Sequence, residues 1–398
     1  MRAKTLSLLK IYEEEINLLL WTMALLFIIR SSGIILNNYA ETAFLKRYGV
    51  EYLPIVNMLN AVITFFITGV LSAFLGKMPG ARLLSYVFII SGILVTLIRL
   101  LIPFGFDLLY PVLFMLKSQF ELLQALLFWN LCNDLFNMRQ SKRLFPILTA
   151  GGVIGLILGS FGTNYFATTF NLDNLLYLYL VTTLMGAGIV QAMGRSYSTL
   201  IFPEKVQKQG ESGKKKPSMI QEFKAVYPLL KDSLLIKIVL VLTFMPNVVI
   251  PIMNYQFNYA INDQFASEAA MIQFFSYFRG GLYTVSLIIL LFVGRIYGRW
   301  GLPVALMFHP FNYMIAFFAF LFRFDMFSAM YARMSTNILR TTINMPANSI
   351  LIGLFPESYR NMIRPFLRGT VVRMALFTGS TLILISSAYF HPRYLTLV

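Results

Sequence analysis

Four apolar stretches of this chain carry charged and amide side chains at helical spacing, and these residues are the ones able to do chemistry. Arg30, Asn37 and Glu41 fall on one face when the first stretch is projected at about 100° per residue. Lys117, Glu121 and Gln124 do the same in a second stretch, and Asn247, Asn254 and Asn258 align in a third with Pro251 among them. In the fourth, Arg333, Asn337, Arg340 and Asn344 share a face. A charge at mid-bilayer costs on the order of 2.5–3.5 kcal/mol on insertion scales, so each needs water, a partner or a ligand. Lys117 and Glu121 lie one turn apart and could simply neutralise each other. Glu41 and Glu121 together, however, cannot balance Arg30, Arg333 and Arg340 as well. A surplus of positive charge suits an anionic solute, and guanidinium groups match phosphate or carboxylate oxygens in pairs. The blander alternative is that Arg30 and Arg333 snorkel to an interface.

The elements that hold these residues are membrane-length helices. Apolar residues make up 58% of 398 and charged residues 13%, a balance that defines an all-α polytopic membrane protein. A helical span takes about 20 apolar residues. Such runs lie near 17–43, 53–75, 83–104, 107–136, 144–169, 174–193, 235–260, 269–294, 302–323, 325–354 and 366–389, which predicts eleven spans. The formal net charge of +16 reflects loop cations that orient the chain and does not point to nucleic acid. Lys77 and Arg82, then Arg139, Lys142 and Arg143, the linker lysines, Arg295 and Arg299, and Arg360 and Arg364 follow every second span. That alternation predicts a cytoplasmic amino terminus, with Lys46, Arg47 and Arg323 as exceptions. The first sixteen residues have no small-residue cleavage site, so no removable signal is expected.

Composition also divides the chain. Residues 1–194 read as a six-helix amino-terminal bundle, 195–233 as a cytoplasmic linker with a short amphipathic helix after Pro217, and 234–398 as a carboxy-terminal bundle with five visible spans. Lys214, Lys215 and Lys216 in the linker suit anionic lipid. The polar faces fall on spans one, four, seven and ten, the helices that line the cavity in the major facilitator architecture of two six-helix halves. On this reading the tail from His391 emerges outside and a twelfth span is missing. Gly151, Gly155 and Gly159 form a stripe that reads first as a packing surface and secondarily as a sliding surface between halves. His309, before Pro310, reads as a satisfied polar group rather than a proton relay. Cys132, the single cysteine, reads as a packing residue and excludes a disulfide. No paired-histidine site, phosphate-gripping glycine loop or nucleophile elbow is present, so no enzyme, cofactor or metal is expected.

Two stretches resemble the ATP:ADP translocase, or nucleotide transporter, family. AETAFLKRYGVEYLP, at Ala40 to Pro54, resembles the end of that family's first span. Glu121, Phe128-Trp129, Asn133-Asp134, Lys142-Arg143 and Gly151-Gly152 resemble its fourth-span signature. The resemblance implies that Lys46 and Glu121 occupy positions needed for nucleotide exchange, and that the chain lies in a bacterial inner membrane. In the second half, RTTINMPANSILIGLFPES from Arg340 departs from the family pattern. LFVGRIYGRWGLPVAL resembles the short basic turn of major facilitator proteins, whereas LGKMPGARLL is a degenerate counterpart.

Three functions follow as expectations. The first is a secondary transporter of an anionic, phosphorylated, nucleotide-like solute by alternating access, bound by Arg30, Asn37, Glu41, Lys46, Lys117, Glu121, Asn254, Asn258, Arg333, Arg340 and Asn344. The second is a transporter-like scaffold or sensor subunit with a protein partner. The third is a carrier of anionic lipid. Membrane lipids are partners in all three.

Overall fold

The structure, a computed structural model, describes residues 12–75, 78–197, 234–345 and 366–397, together with residues 347, 348, 351 and 363. Lys77, Arg360, Arg364 and residues 198–233 of the linker, with the helix predicted after Pro217, lie outside the described residues. Among the described residues every regular element is helical. The α-helices are α1 Glu13–Ala43, α2 Leu53–Leu75, α3 Gly80–Leu101, α4 Leu109–Leu135, α5 Met138–Thr169, α6 Leu175–Ser196, α7 Leu234–Gln264, α8 Glu268–Phe322, α9 Met326–Leu339 and α10 Val372–Ser387.

Seven described segments, not eleven, are long and apolar enough to cross a membrane: those of α1 to α7. This corrects the predicted count of eleven spans and the missing twelfth that was inferred from it. The reason lies in the second part of the chain. The runs predicted at 269–294 and 302–323 both belong to α8, which bends at Gly301 (φ 76°), and the described apolar piece after the bend, Leu306–Phe322, is short for a span. Within the run at 325–354, residues Met326–Leu339 form a 14-residue helix followed by a π-helical turn at Arg340–Asn344, and polar side chains recur along both. The run at 366–389 begins as a π-helical turn, Phe366–Val371, before 16 residues of α10.

The chain forms two compact units. The first draws its described residues from Met1–Tyr48, Thr64–Lys208 and Ser267–Thr284, and the second from Gly49–Ile63, Gln209–Ala266 and Val285–Val398. In the first unit a buried apolar cluster joins α1, α3, α4, α5 and α6 around Leu84, Phe88, Phe128, Leu131, Cys132 and Leu144. Cys132 is fully buried within it as a free thiol. On the far side, apolar side chains such as Ile90, Ile93, Leu97 and Leu100 of α3 stay outside the protein, where only lipid removes them from water.

Helix α5 starts at a capping box. Asn137 Oδ1 accepts from the backbone of Arg139 at 3.1 Å and Gln140 at 2.9 Å, and Gln140 Oε1 accepts from Asn137 N at 3.0 Å. The glycine stripe then packs on α1 within this unit. A Cβ at Gly155 would sit 2.6 Å from the Phe27 carbonyl oxygen, and one at Gly159 would sit 2.9 Å from Ser31 Cα. Ser31 Oγ closes the contact by donating to the Gly155 carbonyl at 3.0 Å.

In the second unit α7 packs along α10, where a Cβ at Gly379 would collide with the Val248 carbonyl oxygen. The tail from His391 does not leave the unit. Pro392–Leu397 is a 3-10 turn, Gln256 Nε2 donates to the Pro392 carbonyl at 2.9 Å, and Arg393 donates to the carbonyls of Leu321 and Phe322 at 2.6 and 2.9 Å.

Candidate functional site

The first unit gathers its polar residues on α1 and α4. Lys117 and Glu121 do not face each other as their spacing suggests. Lys117 Nζ donates to Asn37 Oδ1 at 2.6 Å and lies 3.9 Å from Glu41 Oε2, while Glu121 Oε1 lies 3.5 Å from Arg30 Nη1. Lys117 also sits 3.9 Å above the Phe114 ring. Arg30, Asn37 and Glu121 line one small cavity of about 20 Å³ with Gly33 and Tyr283.

Behind that cavity lies a residue that the sequence reading passed over. Arg279, from the first part of α8, donates through Nη1 to Asn38 Oδ1 at 2.5 Å and through Nη2 to Glu41. Glu41 is 5% exposed and Arg279 is 6% exposed, so the pair is buried, with Lys117 as a second cation beside the carboxylate. Asn38 Nδ2 continues the chain to Thr163 Oγ1 at 3.3 Å. The only local signal for Arg279 was a cation inside a predicted span, because its partners lie 238 and 241 residues away.

A second ion cluster explains Arg47, an exception to the orientation rule. It lies on the π-helical turn Phe44–Tyr48 and binds Glu268 in parallel, at 2.5 Å through Nε and 2.6 Å through Nη2. Asp173 lies 3.0 Å from the same guanidinium and also accepts from the Tyr39 hydroxyl at 2.6 Å. Lys46, on the same turn, is half-buried and lines neither cavity. Arg143 is likewise tied down: its Nη2 lies 2.9 Å from Glu15 Oε1, which also accepts from Gln140 Nε2 at 3.0 Å.

The second unit presents a larger cavity, about 100 Å³, lined by Asn254 of α7, by Arg333, Thr336 and Asn337 of α9, and by Arg340 at the start of the π-helical turn. Among the described residues no carboxylate lines it. Arg340 Nη2 donates to Asn247 Oδ1 at 3.5 Å, a long contact, and Asn247 Nδ2 donates to the Thr243 carbonyl at 2.6 Å. Arg333 lies over the Phe257 ring at 5.4 Å. Asn258 and Asn344, one turn beyond Asn254 and Arg340, are buried and do not line the cavity. His309 differs from its expected role as a satisfied polar group: it is buried, and among the described residues neither ring nitrogen has a hydrogen-bond partner. Among the described residues no group of His, Cys, Asp and Glu is placed to hold a metal ion.

The chain is thus a many-helix membrane protein with a polar cavity in each of its two units. The chain superposes on a point mutant of the nucleoside transporter NupG with a TM-score of 0.70 at 14% identity, covering 96% of each chain. It superposes on a D-xylose-proton symporter with a TM-score of 0.62 at 14% identity, covering 97% of this chain and 94% of that one. The inward-open xylose transporter XylE from E. coli gives 0.61 at 11% identity, covering 97% and 93%. At these identities the likeness is one of fold. No curated protein matches the chain significantly in sequence. The family model described as TLC ATP/ADP transporter matches residues 97–354, more than half of the chain, and the chain belongs to that family. It is therefore a membrane transporter of small solutes and not an enzyme. The match contains the Glu121 to Gly152 stretch and runs through Arg340, whereas Ala40–Pro54 lies before its start.

Proposed function

We propose that this protein carries an anionic, phosphorylated solute of the nucleotide class across a bacterial inner membrane by alternating access, with its amino terminus in the cytoplasm. The observation that carries the reading is the cavity of the second unit, whose wall, among the described residues, has two guanidinium groups, two amides and no carboxylate. Among the described residues Arg340 is held there by one long bond to an amide oxygen and by no acid, so a phosphate oxygen arriving at the cavity meets a cation. Arg30, Lys117 and Arg279 of the first unit, by contrast, already have carboxylate partners in Glu41 and Glu121. The family supports the nucleotide class, and the cavity chemistry supports the anion.

Uptake of labelled ATP and ADP into proteoliposomes tests the reading. Arg340→Gln is expected to lower the initial rate at least tenfold, and Arg340→Lys to retain part of it. Wild-type rates for ATP and ADP no greater than those of protein-free vesicles would refute the nucleotide class.

A further inference from the structure

Arg99 differs from Arg30, Arg47, Arg143 and Arg279 of the same unit, each of which faces a carboxylate. Among the described residues Arg99 has no acid beside it. Its Nη2 donates to Asn174 Oδ1 at 3.2 Å, and its guanidinium lies 5.5 Å from the centre of the Tyr177 ring. A guanidinium carries five N–H donors in a fixed fork, and among the described residues a single one is used. The Nε–H is covered by protein and unpartnered, so the donors left for a ligand are those of the two Nη atoms.

The position of this cation decides what can meet it. Arg99 stands in the last turn of α3, a helix of membrane length, and Asn174 ends the short turn Leu172–Asn174 that leads into α6. Both therefore sit at one edge of the apolar layer, at the depth of the lipid phosphates. The two helices pack along each other, with Gly92 of α3 against Leu180 and Thr183 of α6. Arg99 is half-buried where they meet, and Tyr177 beside it is 37% exposed, so the crevice opens to lipid at the ring. Val181 and Leu184 follow Tyr177 at the fourth and seventh positions, on the same face of α6, and both are exposed. At about 1.5 Å of rise per residue, Leu184 lies roughly 10 Å deeper in the layer than Tyr177. An apolar strip thus runs from the guanidinium into the membrane.

We propose that Arg99 binds the phosphate of an anionic phospholipid, with an acyl chain lying along Val181 and Leu184. The Nη donors meet the phosphate oxygens as charge-assisted bonds. Asn174 and the Tyr177 ring hold the guanidinium in place from the protein side. Phosphatidylglycerol suits the site better than phosphatidylcholine, whose headgroup brings a cation of its own towards the guanidinium. A soluble phosphate ester offers the same oxygens but nothing to cover the strip. The site lies in the first unit and does not depend on the anion cavity of the second or on the proposed cargo.

Native mass spectrometry of the full chain, released from micelles containing equal amounts of phosphatidylglycerol and phosphatidylcholine, tests the site. Wild-type protein is expected to retain about one phosphatidylglycerol more per chain than Arg99→Gln, whose amide keeps a donor for Asn174. Tyr177→Leu removes the ring without changing any charge, and it is expected to lower the retained phosphatidylglycerol about threefold, which keeps the test open if Arg99→Gln does not fold. Glycerophosphate, the headgroup without acyl chains, is expected to change the Tm of wild type and Arg99→Gln equally. Equal retention of phosphatidylglycerol by wild type and both variants overturns the site. A glycerophosphate stabilisation that depends on Arg99 and matches that of phosphatidylglycerol assigns the arginine to a soluble anion and overturns the lipid.

Discussion

Glu41 stands between two cations from different helices, Lys117 of α4 and Arg279 of α8, and all three side chains are largely withdrawn from solvent. A buried carboxylate of this kind is worth little compared with an apolar replacement of the whole group, but removing it alone strands the charges it faces. Glu41→Gln is expected to destabilise the protein by roughly 3–5 kcal/mol, read as a large drop in Tm in detergent. Adding Arg279→Met to Glu41→Gln should recover much of that loss, and strictly additive effects would show that the two residues do not act as a pair. The same residues show what a sequence can and cannot say. Helical spacing placed Arg30, Asn37 and Glu41 on one face because 3.6 residues per turn is a local rule. It could not show that Lys117 would choose Asn37 over Glu121, because that choice depends on which helix lies alongside.

At the scale of the element, the glycine stripe of α5 and the cap of α9 make separate predictions. Gly155 faces the Phe27 carbonyl so closely that a side chain must push α1 away. Gly155→Leu is expected to cost about 1–3 kcal/mol or more through overpacking, measured as a lowered Tm, while the same change at Gly162, where a Cβ meets nothing within 4 Å, should be nearly silent. Helix α9 begins at Asp325, whose Oδ1 accepts from Ser328 N at 2.9 Å and whose carboxylate pairs with Arg323. Burial pushes this carboxyl up, but the bonds from Ser328 and the charge of Arg323 outweigh it and hold it below the usual 3.8. Its stabilising contribution is therefore fully present above about pH 4 and is lost as the pH falls through the lowered value. Asp325→Ala should lower stability by about 1 kcal/mol at neutral pH, with the difference from wild type shrinking in acid. A difference that persists unchanged at low pH would contradict the assignment of the cap to the ionised carboxyl. The stripe was legible from its four-residue spacing. The short π-helical turns that carry Arg47 and Arg340 were not, since a single added residue in a turn leaves no periodic trace.

At the scale of the whole molecule, the sequence by itself determined an all-helical membrane protein with polar faces on particular helices and a resemblance to nucleotide carriers. It could do so because lipid admits only long apolar segments with satisfied backbones, and composition records that directly. The number of spans was not determined in this way. Hydropathy counted eleven runs, and seven described segments qualify as spans, because π-helical turns break the last two runs and the apolar helix after the bend at Gly301 is short, features that a sliding window does not register. Only the tertiary structure decided which charges neutralise one another and which stay open. It paired Glu41 with Arg279 and Arg47 with Glu268, across more than two hundred residues of chain, and left Arg340 on a cavity with no acid among its described lining residues. An ion pair needs its partners within hydrogen-bonding distance in space, which helix packing fixes, whereas separation along the chain carries no information about it.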